Sequence, residues 1–313
     1  MSDQQQASVL NRYTHVVINV TDLERSIDFY SATLPLTPVR RFEVRNQPLD
    51  HLGVARGSLR GCVMGGTEVQ DAVEVHLVQW LDPAPAAVAP RDFNAPGLYR
   101  ICFQSPRVES RYEDVLRHNG RPFTELQMPY PGRTTGRPVF GFRDPDGTVI
   151  EYVTFEAPER TYHVNHNSPD LGRISTELQD VLGMQCPILF ESDKPGPCPF
   201  TESAEETLVK AGLYSIPTRE GREPSAEFVL DVCEWLTPPT TGRVSYAQTT
   251  TGLARVGIEV DSLADVEPVL KGLPDAIVSP RTELDLGEDV PQRVLTATLF
   301  DGLVLEFVER GRS

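Results

Sequence analysis

The sequence predicts an α+β protein in which one unit, a strand followed by a helix and three further strands, occurs four times. Two of the copies end in nearly the same way, with DPDGTVIEYV at Asp144–Val153 and DGLVLEFV at Asp301–Val308. Three polar residues of the first half also have polar counterparts 155 residues later: His76 with Asp231, Arg100 with Arg255, and Glu151 with Glu306. Self-similarity at a fixed offset is typical of a repeat protein.

The first unit opens with a β-branched run at Tyr13–Val20, which predicts a strand. Thr21 with Glu24 three residues later has the pattern of a capping box, and apolar residues recur at helical spacing from Leu23 to Tyr30. These features predict a helix with one buried face. Further strands are expected near residues 40–44, 52–63 and 73–80. The proline-rich segment 81–90 should then end the unit, because proline cannot continue a strand ladder.

The remaining three units repeat this order. In the second unit we expect strands at 97–103, 138–143 and 148–154 and a helix at 108–119. The third unit begins with a strand at 162–167 and a helix from Ser168, and its strand at 228–235 corresponds to 73–80. The fourth unit begins with a strand at 252–258 and a helix at 262–271.

Length favours two domains, since 313 residues exceed one small core and fit two domains of about 150 residues each. We expect the boundary near 156–159, which gives a first domain of residues 1–157 and a second of residues 158–313. A repeat of two units would then lie in each domain.

Composition excludes several classes of function. The net charge of −16 would repel the phosphates of nucleic acid. No apolar run approaches the roughly 18 residues that cross a bilayer, so we expect no membrane partner and a cytoplasmic location. The five cysteines are scattered without a CxxC pair, which argues against a disulfide framework or a structural zinc knuckle.

Three motifs carry a resemblance to a known family. They are the opening strand and helix from His15 to Tyr30, the segment HLVQW at His76–Trp80, and the DPDGTVIEYV segment. The chain resembles the vicinal oxygen chelate superfamily, which includes glyoxalase I, methylmalonyl-CoA epimerase, fosfomycin and bleomycin resistance proteins and extradiol dioxygenases. The resemblance implies that two units form one half-open, cup-shaped sheet, with metal ligands converging from the first and last strands of each unit.

Carried onto this sequence, the family positions give two sets of four residues. The first cup would hold His15, His76, Arg100 and Glu151, and the second would hold His163, Asp231, Arg255 and Glu306. The third position of each set departs from the family, where histidine is common. Arginine stays protonated and cannot ligate a metal, so neither cup can hold four protein ligands.

The first set predicts a metal site made by His15, His76 and Glu151. Two imidazoles and one carboxylate are the ligands of non-haem Fe(II) oxygenases, so Fe(II) is favoured, with Zn, Mn, Ni or Co as alternatives. Arg100 would bind an anionic substrate oxygen, and Glu151 is the candidate catalytic base if it is not a ligand. Alternatively, Arg100 pairs directly with Glu151 and the pocket is free of metal.

The second set is more oxygen-rich and would suit Mg or Mn, and we expect this half to be structural or vestigial. Tyr130 and Arg133 fall in a loop that could touch substrate at the mouth of the first cup. The partner would be a small molecule, and a homodimer is possible.

The sequence leaves three functions open. A metal-dependent enzyme of dioxygenase type is favoured. A metal-dependent lyase, isomerase or epimerase, and a metal-free protein that binds or sequesters a small molecule, are the alternatives.

Overall fold

The computed structural model describes residues 9–69, 72–85, 92–123, 125–126, 137–198, 200–201, 205–218, 228–242, 248–286 and 291–309. Tyr130 and Arg133, the predicted loop contacts to substrate, lie outside these residues.

Units one and two follow the predicted order. Unit one contains β1 (Leu10–Asn19), α1 (Leu23–Thr33), β2 (Leu36–Leu49), a 3₁₀ turn (Asp50–Leu52), β3 (Val54–Gly66) and β4 (Glu74–Asp82). Unit two contains β5 (Gly97–Ser105), α2 (Val108–Arg117), β6 (Arg121–Pro122), β7 (Val139–Arg143) and β8 (Val149–Thr154).

Units three and four repeat the pattern. Unit three contains β9 (Arg160–Asn167), α3 (Leu171–Thr176) with a π-helical turn (Glu177–Val181), β10 (Gln185–Glu191), β11 (Leu208–Ser215) and β12 (Val229–Thr237). Unit four contains β13 (Gly252–Val260), α4 (Leu263–Lys271), β14 (Ile277–Val278), β15 (Thr282–Leu284), β16 (Gln292–Thr298) and β17 (Val304–Glu309). The predicted α+β fold of four βαβββ units is confirmed.

The sheets join units that are far apart in sequence. One sheet runs β14-β16-β17-β13-β1-β4-β3-β2 and combines units one and four, which we call cup A. The other runs β10-β11-β12-β9-β5-β8-β7-β6 and combines units two and three, which we call cup B. The antiparallel pairs β1–β13 and β5–β9 join the two units of each sheet.

This pairing corrects the expected division at 157/158, because each sheet takes one unit from either half. The physical reason is that the repeats are alike. The first strand of each unit offers a similar edge, and its hydrophobic pattern does not say which of the other units it will meet.

Side-chain parity on the strands separates a shared core from the two cups. Val16 and Ile18 of β1 and Ile101 and Phe103 of β5 belong to one large apolar cluster that also includes buried residues of all four helices. The alternate residues face the cups, where two smaller apolar clusters lie, one in each sheet. The chain therefore directs its polar strand residues and a set of apolar ones to the same inner surfaces.

The closing turns of units two and four are held by the same type of carboxylate bond. Asp144 Oδ1 accepts hydrogen bonds from the backbone N–H groups of Asp146 (2.9 Å) and Thr148 (2.7 Å), and Asp301 Oδ1 accepts one from Leu303 N–H (3.2 Å). Gly147 and Gly302 follow with φ of 89° and 84°, which glycine adopts without strain. Unit four thus keeps the turn although it lacks the Asp-Pro dipeptide.

The start of α1 differs from its prediction. Asp22, rather than Thr21, is the N-cap, and its side chain accepts a hydrogen bond from Arg25 N–H at 3.2 Å. Glu24 pairs with Arg41 on the neighbouring strand instead of closing a capping box. Within the described residues, no helix has both the length and the apolar character that a membrane span requires.

Candidate functional site

Each cup brings together predicted site residues from both halves of the chain. Cup A brings together His15, His76, Arg255 and Glu306. Cup B brings together Arg100, Glu151, His163 and Asp231. The predicted metal set of His15, His76 and Glu151 is therefore divided between two cups, and so is the predicted second set. The cause is the cross-half pairing of the sheets, which exchanges the third and fourth positions of each set.

In cup A both histidines contact a carboxylate. His15 Nε2 lies 2.8 Å from Glu306 Oε2, and Arg255 Nε donates to Glu306 Oε1 at 2.9 Å. His76 stacks on the His15 ring with a centroid distance of 4.1 Å, but its Nε2 is turned to Glu74 Oε2 at 3.1 Å. His15, His76 and Glu306 are thus engaged within the protein, whereas Arg255 Nη1 is buried without a hydrogen-bond partner among the described residues.

Burial and charge shift the pKa values in cup A. Burial would raise the pKa of Glu306, but Arg255 and His15 hold it well below its ordinary value. Burial, together with the neighbouring His15, lowers the pKa of His76 to about 4. At neutral pH the Glu306 carboxylate is therefore charged and His76 is neutral.

Cup A is also almost filled. Its cavity has a volume of about 30 Å³, room for a water molecule or two. The 3₁₀ turn Asp50–Leu52 projects into it, where Thr296 Oγ1 donates to the His51 carbonyl oxygen and His51 Nε2 lies 3.9 Å from Glu306 Oε1. Leu52 joins the apolar cluster on the same face. Cup A has no room for an organic substrate in this conformation.

Cup B is open, with a cavity of about 400 Å³. On its floor Arg100 Nε donates to Glu151 Oε2 at 2.6 Å, and Arg100 Nη2 donates to Asp231 Oδ2 at 3.1 Å. Burial would lower the pKa of Arg100, but these two carboxylates hold it well above its ordinary value. The remaining nitrogen, Nη1, is buried and has no hydrogen-bond partner among the described residues.

His163 lies above these carboxylates without bonding to them. Its Nε2 is 3.6 Å from Glu151 Oε2 and 3.8 Å from Asp231 Oδ2, too far for a hydrogen bond. Both ring nitrogens are buried and lack hydrogen-bond partners in the described part of the chain. An imidazole in this position is available to a ligand.

The residue opposite each strand histidine explains why one histidine is hydrogen-bonded to a glutamate and the other is not. His15 is opposite Gly257 across β1–β13, and His163 is opposite Cys102 across β5–β9. A Cβ atom at Gly257 would lie 2.1 Å from the His15 ring, so that ring occupies the space a side chain would need. Cys102 fills the corresponding space in cup B, and His163 is not paired with Glu151 as His15 is with Glu306.

A family model matches the first half of the chain. Residues 12–152, which span units one and two, match the model of the Glyoxalase/Bleomycin resistance protein/Dioxygenase superfamily. This part of the chain is similar to that superfamily. A comparison with curated proteins found no match.

Solved structures extend the likeness of fold to nearly the whole chain. Glyoxalase I from Zea mays matches with a TM-score of 0.64 and 17% identity, over 95% of this chain and 92% of that one. A protein described as a putative dioxygenase from Bacillus subtilis subsp. subtilis str. 168 matches with a TM-score of 0.60 and 14% identity, over 98% of this chain and 87% of that one. The predicted resemblance to the superfamily is confirmed, and at these identities the structures establish the fold alone.

A divalent metal of the kind the superfamily uses would fit the donors of cup B. Among the described residues, Cys102, Glu151 and His163 are the group whose ligand atoms all lie within 4.8 Å of one another. One guanidinium against two carboxylates leaves one negative charge in excess, which favours a cation. The unpartnered His163 nitrogens supply the imidazole donor.

Sequence reasoning missed Cys102. The cysteines are scattered along the chain and match no zinc motif, but Cys102, Cys198 and Cys233 all lie in the apolar cluster of cup B. Strand parity was the available signal. Cys102 follows Arg100 by two residues, and Cys233 follows Asp231 by two, so each thiol shares a face with a predicted site residue.

Proposed function

We propose that the chain is a metal-dependent vicinal oxygen chelate enzyme that acts on a small oxygenated molecule in cup B. The observation that carries the proposal is the 400 Å³ cavity with His163, Glu151, Asp231 and Arg100 on its floor. Pockets of this volume, apolar with a few convergent polar groups, are typical of small-molecule sites. The candidate site thus lies between units two and three, and not in the first half alone.

In this proposal His163 and Glu151 hold the metal, with Cys102 as a third donor within reach. A bound divalent ion would act as a Lewis acid on two neighbouring oxygens of the substrate. Arg100 turns its unpartnered Nη1 to negative charge that develops on a substrate oxygen. Asp231, which lines the cavity, is the candidate base that takes a proton from the substrate.

The donors favour proton-transfer chemistry of the isomerase, lyase or epimerase type over the dioxygenase type. Two histidines and one carboxylate, the ligands of non-haem Fe(II) oxygenases, occur together as His15, His76 and Glu306, but in the filled cup A. Cup B offers one imidazole with carboxylates and a thiol, a set that suits Zn or another first-row divalent ion.

A metal-free binding protein is the second candidate, and the Arg100–Glu151 contact favours it. The 2.6 Å bond from Arg100 Nε already engages the carboxylate that a metal would need, and Arg255 engages Glu306 in the same way in cup A. In this case the buried ion pairs keep the cups in shape and cup B sequesters its ligand without turnover.

Each described cup is complete within one chain, because both of its units come from the same polypeptide. A homodimer is therefore not needed to form the site, and it stays a prediction, as does the cytoplasmic location.

Metal content of protein purified without chelator tests the proposal. We expect about one equivalent of a divalent transition metal per chain by inductively coupled plasma mass spectrometry. His163→Gln should lose it, while His15→Gln, the matched change on the first strand of cup A, should retain it. Asp231→Asn should keep the metal and lose turnover.

Two results would contradict the proposal. If the protein stays free of metal after reconstitution with Zn²⁺, Mn²⁺ and Fe²⁺, the metal-free binding function replaces it. If His15→Gln loses the metal and His163→Gln keeps it, the site is in cup A.

A further inference from the structure

We propose that the substrate of cup B has an apolar, aromatic body and carries its oxygen atoms at one end only. This inference deepens the proposed function and rests on it for the reacting end of the molecule. Polar and apolar groups are separated around the cavity.

The acidic and basic side chains of the cavity are confined to its floor. Of the described residues that line it, these are Arg100, Glu151, His163 and Asp231, and each is at least nine-tenths buried. They sit on the four central strands β5, β8, β9 and β12, which are neighbours in the sheet. A ligand can therefore meet hydrogen-bonding and charged groups at one end.

The walls are aromatic and aliphatic. Five aromatic side chains line the cavity: Phe155, Tyr162, Phe190, Phe200 and Trp235. The guanidinium carbon of Arg100 lies 5.4 Å from the centroid of the Phe200 ring, so the aromatic wall begins directly beside the polar floor. Planar rings pack well against such walls, and each aromatic contact adds to the gain from burial.

The mouth is apolar as well. Ile188 lies on β10, the edge strand of the sheet, and lines the cavity although 52% of its surface is exposed. An apolar side chain held half in solvent at a cavity mouth gains burial when an apolar ligand covers it. A charge on the distal half of the ligand would instead be desolvated against Ile188 and Phe190, which is unfavourable.

The net charge of the cavity floor determines which charge the oxygenated end of the ligand can carry. Without metal, the floor has one negative charge in excess, so a neutral ligand enters more readily than an anion. With a divalent metal the excess becomes positive and favours a singly charged enolate or phenolate. Binding of the apolar body and binding of the metal can thus be measured separately.

Tryptophan fluorescence can test the substrate class, because the chain has two tryptophans, one in each cup. Trp235 lines cup B and Trp80 belongs to the apolar cluster of cup A. In Trp80→Phe protein the remaining signal therefore reports on cup B. The probes are 3-hydroxyflavone and maltol, which share a hydroxyl and a carbonyl oxygen on neighbouring carbons but differ in the aromatic body.

We expect metal-free Trp80→Phe protein to bind 3-hydroxyflavone with saturable quenching, and maltol at least about tenfold more weakly. Ile188→Asp should weaken 3-hydroxyflavone binding by about tenfold or more, because it puts a charge against the ligand. Leu189→Asp is the matched control. Leu189 is the next residue, is 72% exposed and is not part of the cavity lining, so its replacement should leave binding unchanged.

The outcomes separate this inference from the proposed function. Equal affinity for the two probes, or an Ile188→Asp variant that binds as wild type does, would overturn the substrate class even if the protein holds a metal. Binding of 3-hydroxyflavone that responds to Ile188→Asp in a protein that takes up no metal would uphold the substrate class while the metal-dependent function fails.

Discussion

At the scale of residues, Gly257 and Cys102 distinguish the two strand histidines. The two positions correspond, each two residues after an arginine and each opposite a strand histidine. Glycine allows the His15 ring to pack on the backbone and bond to Glu306, whereas the Cys102 side chain occupies that space in cup B.

Gly257→Ala should destabilise the protein. The new Cβ would overlap the His15 ring, which must then give up its hydrogen bond to the buried Glu306 carboxylate. We expect a loss of about 2 kcal/mol in the free energy of unfolding, measured by urea denaturation. Gly172→Ala is the control, because its Cβ would meet only Asp170 Oδ1 at 3.5 Å. A Gly257→Ala protein as stable as wild type would show that His15 is not fixed in this position.

At the scale of elements, the 3₁₀ turn Asp50–Leu52 closes cup A. It lies between the long strands β2 and β3 and places His51 fully inside the protein. The sequence does not predict this turn, because a three-residue turn has no periodicity to read. The turn therefore buries the ionisable ring of His51, which has no part in the proposed reaction.

Lowering the pH should therefore destabilise the folded protein at this turn. Burial, with Arg255 nearby, lowers the pKa of His51 to about 4, while its ordinary value is 6.5. As the pH falls below 6.5 the unfolded chain takes up the proton first, so stability present above 6.5 is lost progressively down to about 4. We expect His51→Leu to reduce the loss of unfolding free energy between pH 7.5 and 4.5 by about 2 to 3 kcal/mol.

Urea unfolding of both proteins at a series of pH values would measure this difference. The comparison uses the pH dependence and not the absolute stability, so any change in packing at pH 7.5 is subtracted. Parallel curves for wild type and His51→Leu would mean that His51 is protonated equally in the folded and unfolded states.

At the scale of the whole molecule, the two halves of the chain cannot be separate domains. The strands β1 and β5 of the first half find their antiparallel partners, β13 and β9, in the second half. The large apolar cluster also takes residues from both sheets and all four helices. Separated halves would expose these strand edges and this core to water.

We expect residues 1–157 and 158–313, expressed alone, to lack a cooperative thermal transition and a native near-ultraviolet circular dichroism spectrum. Mixed or co-expressed, they should recover both. Residues 92–242 hold every strand of the cup B sheet and should therefore retain more cooperative structure than either half. A residue 1–157 fragment that unfolds cooperatively as a monomer would contradict the cross-half pairing.

Much of this architecture could be predicted from the sequence. The common offset of Arg100 with Arg255 and of Glu151 with Glu306 correctly indicated repeated units with polar residues on equivalent strands, and the Arg100–Glu151 pair was foreseen as an alternative to metal. The partition between the cups could not be predicted, because identical strand edges make several pairings equally compatible with the pattern. The closing of cup A by the turn Asp50–Leu52 and the packing of His15 on Gly257 depend on contacts that only the folded chain reveals.

Units two and three, which form cup B, lie between units one and four in the chain. This order affects how the protein folds during synthesis. The cup B sheet uses residues 97–237, so it is complete when the ribosome has released the chain as far as Thr237. Strand β1, the first to emerge, must wait for β13, about two hundred and forty residues later, before its second edge is covered. Such distant pairings slow folding. We therefore expect the cup B sheet to be completed before the cup A sheet, whose β1–β13 pair forms late.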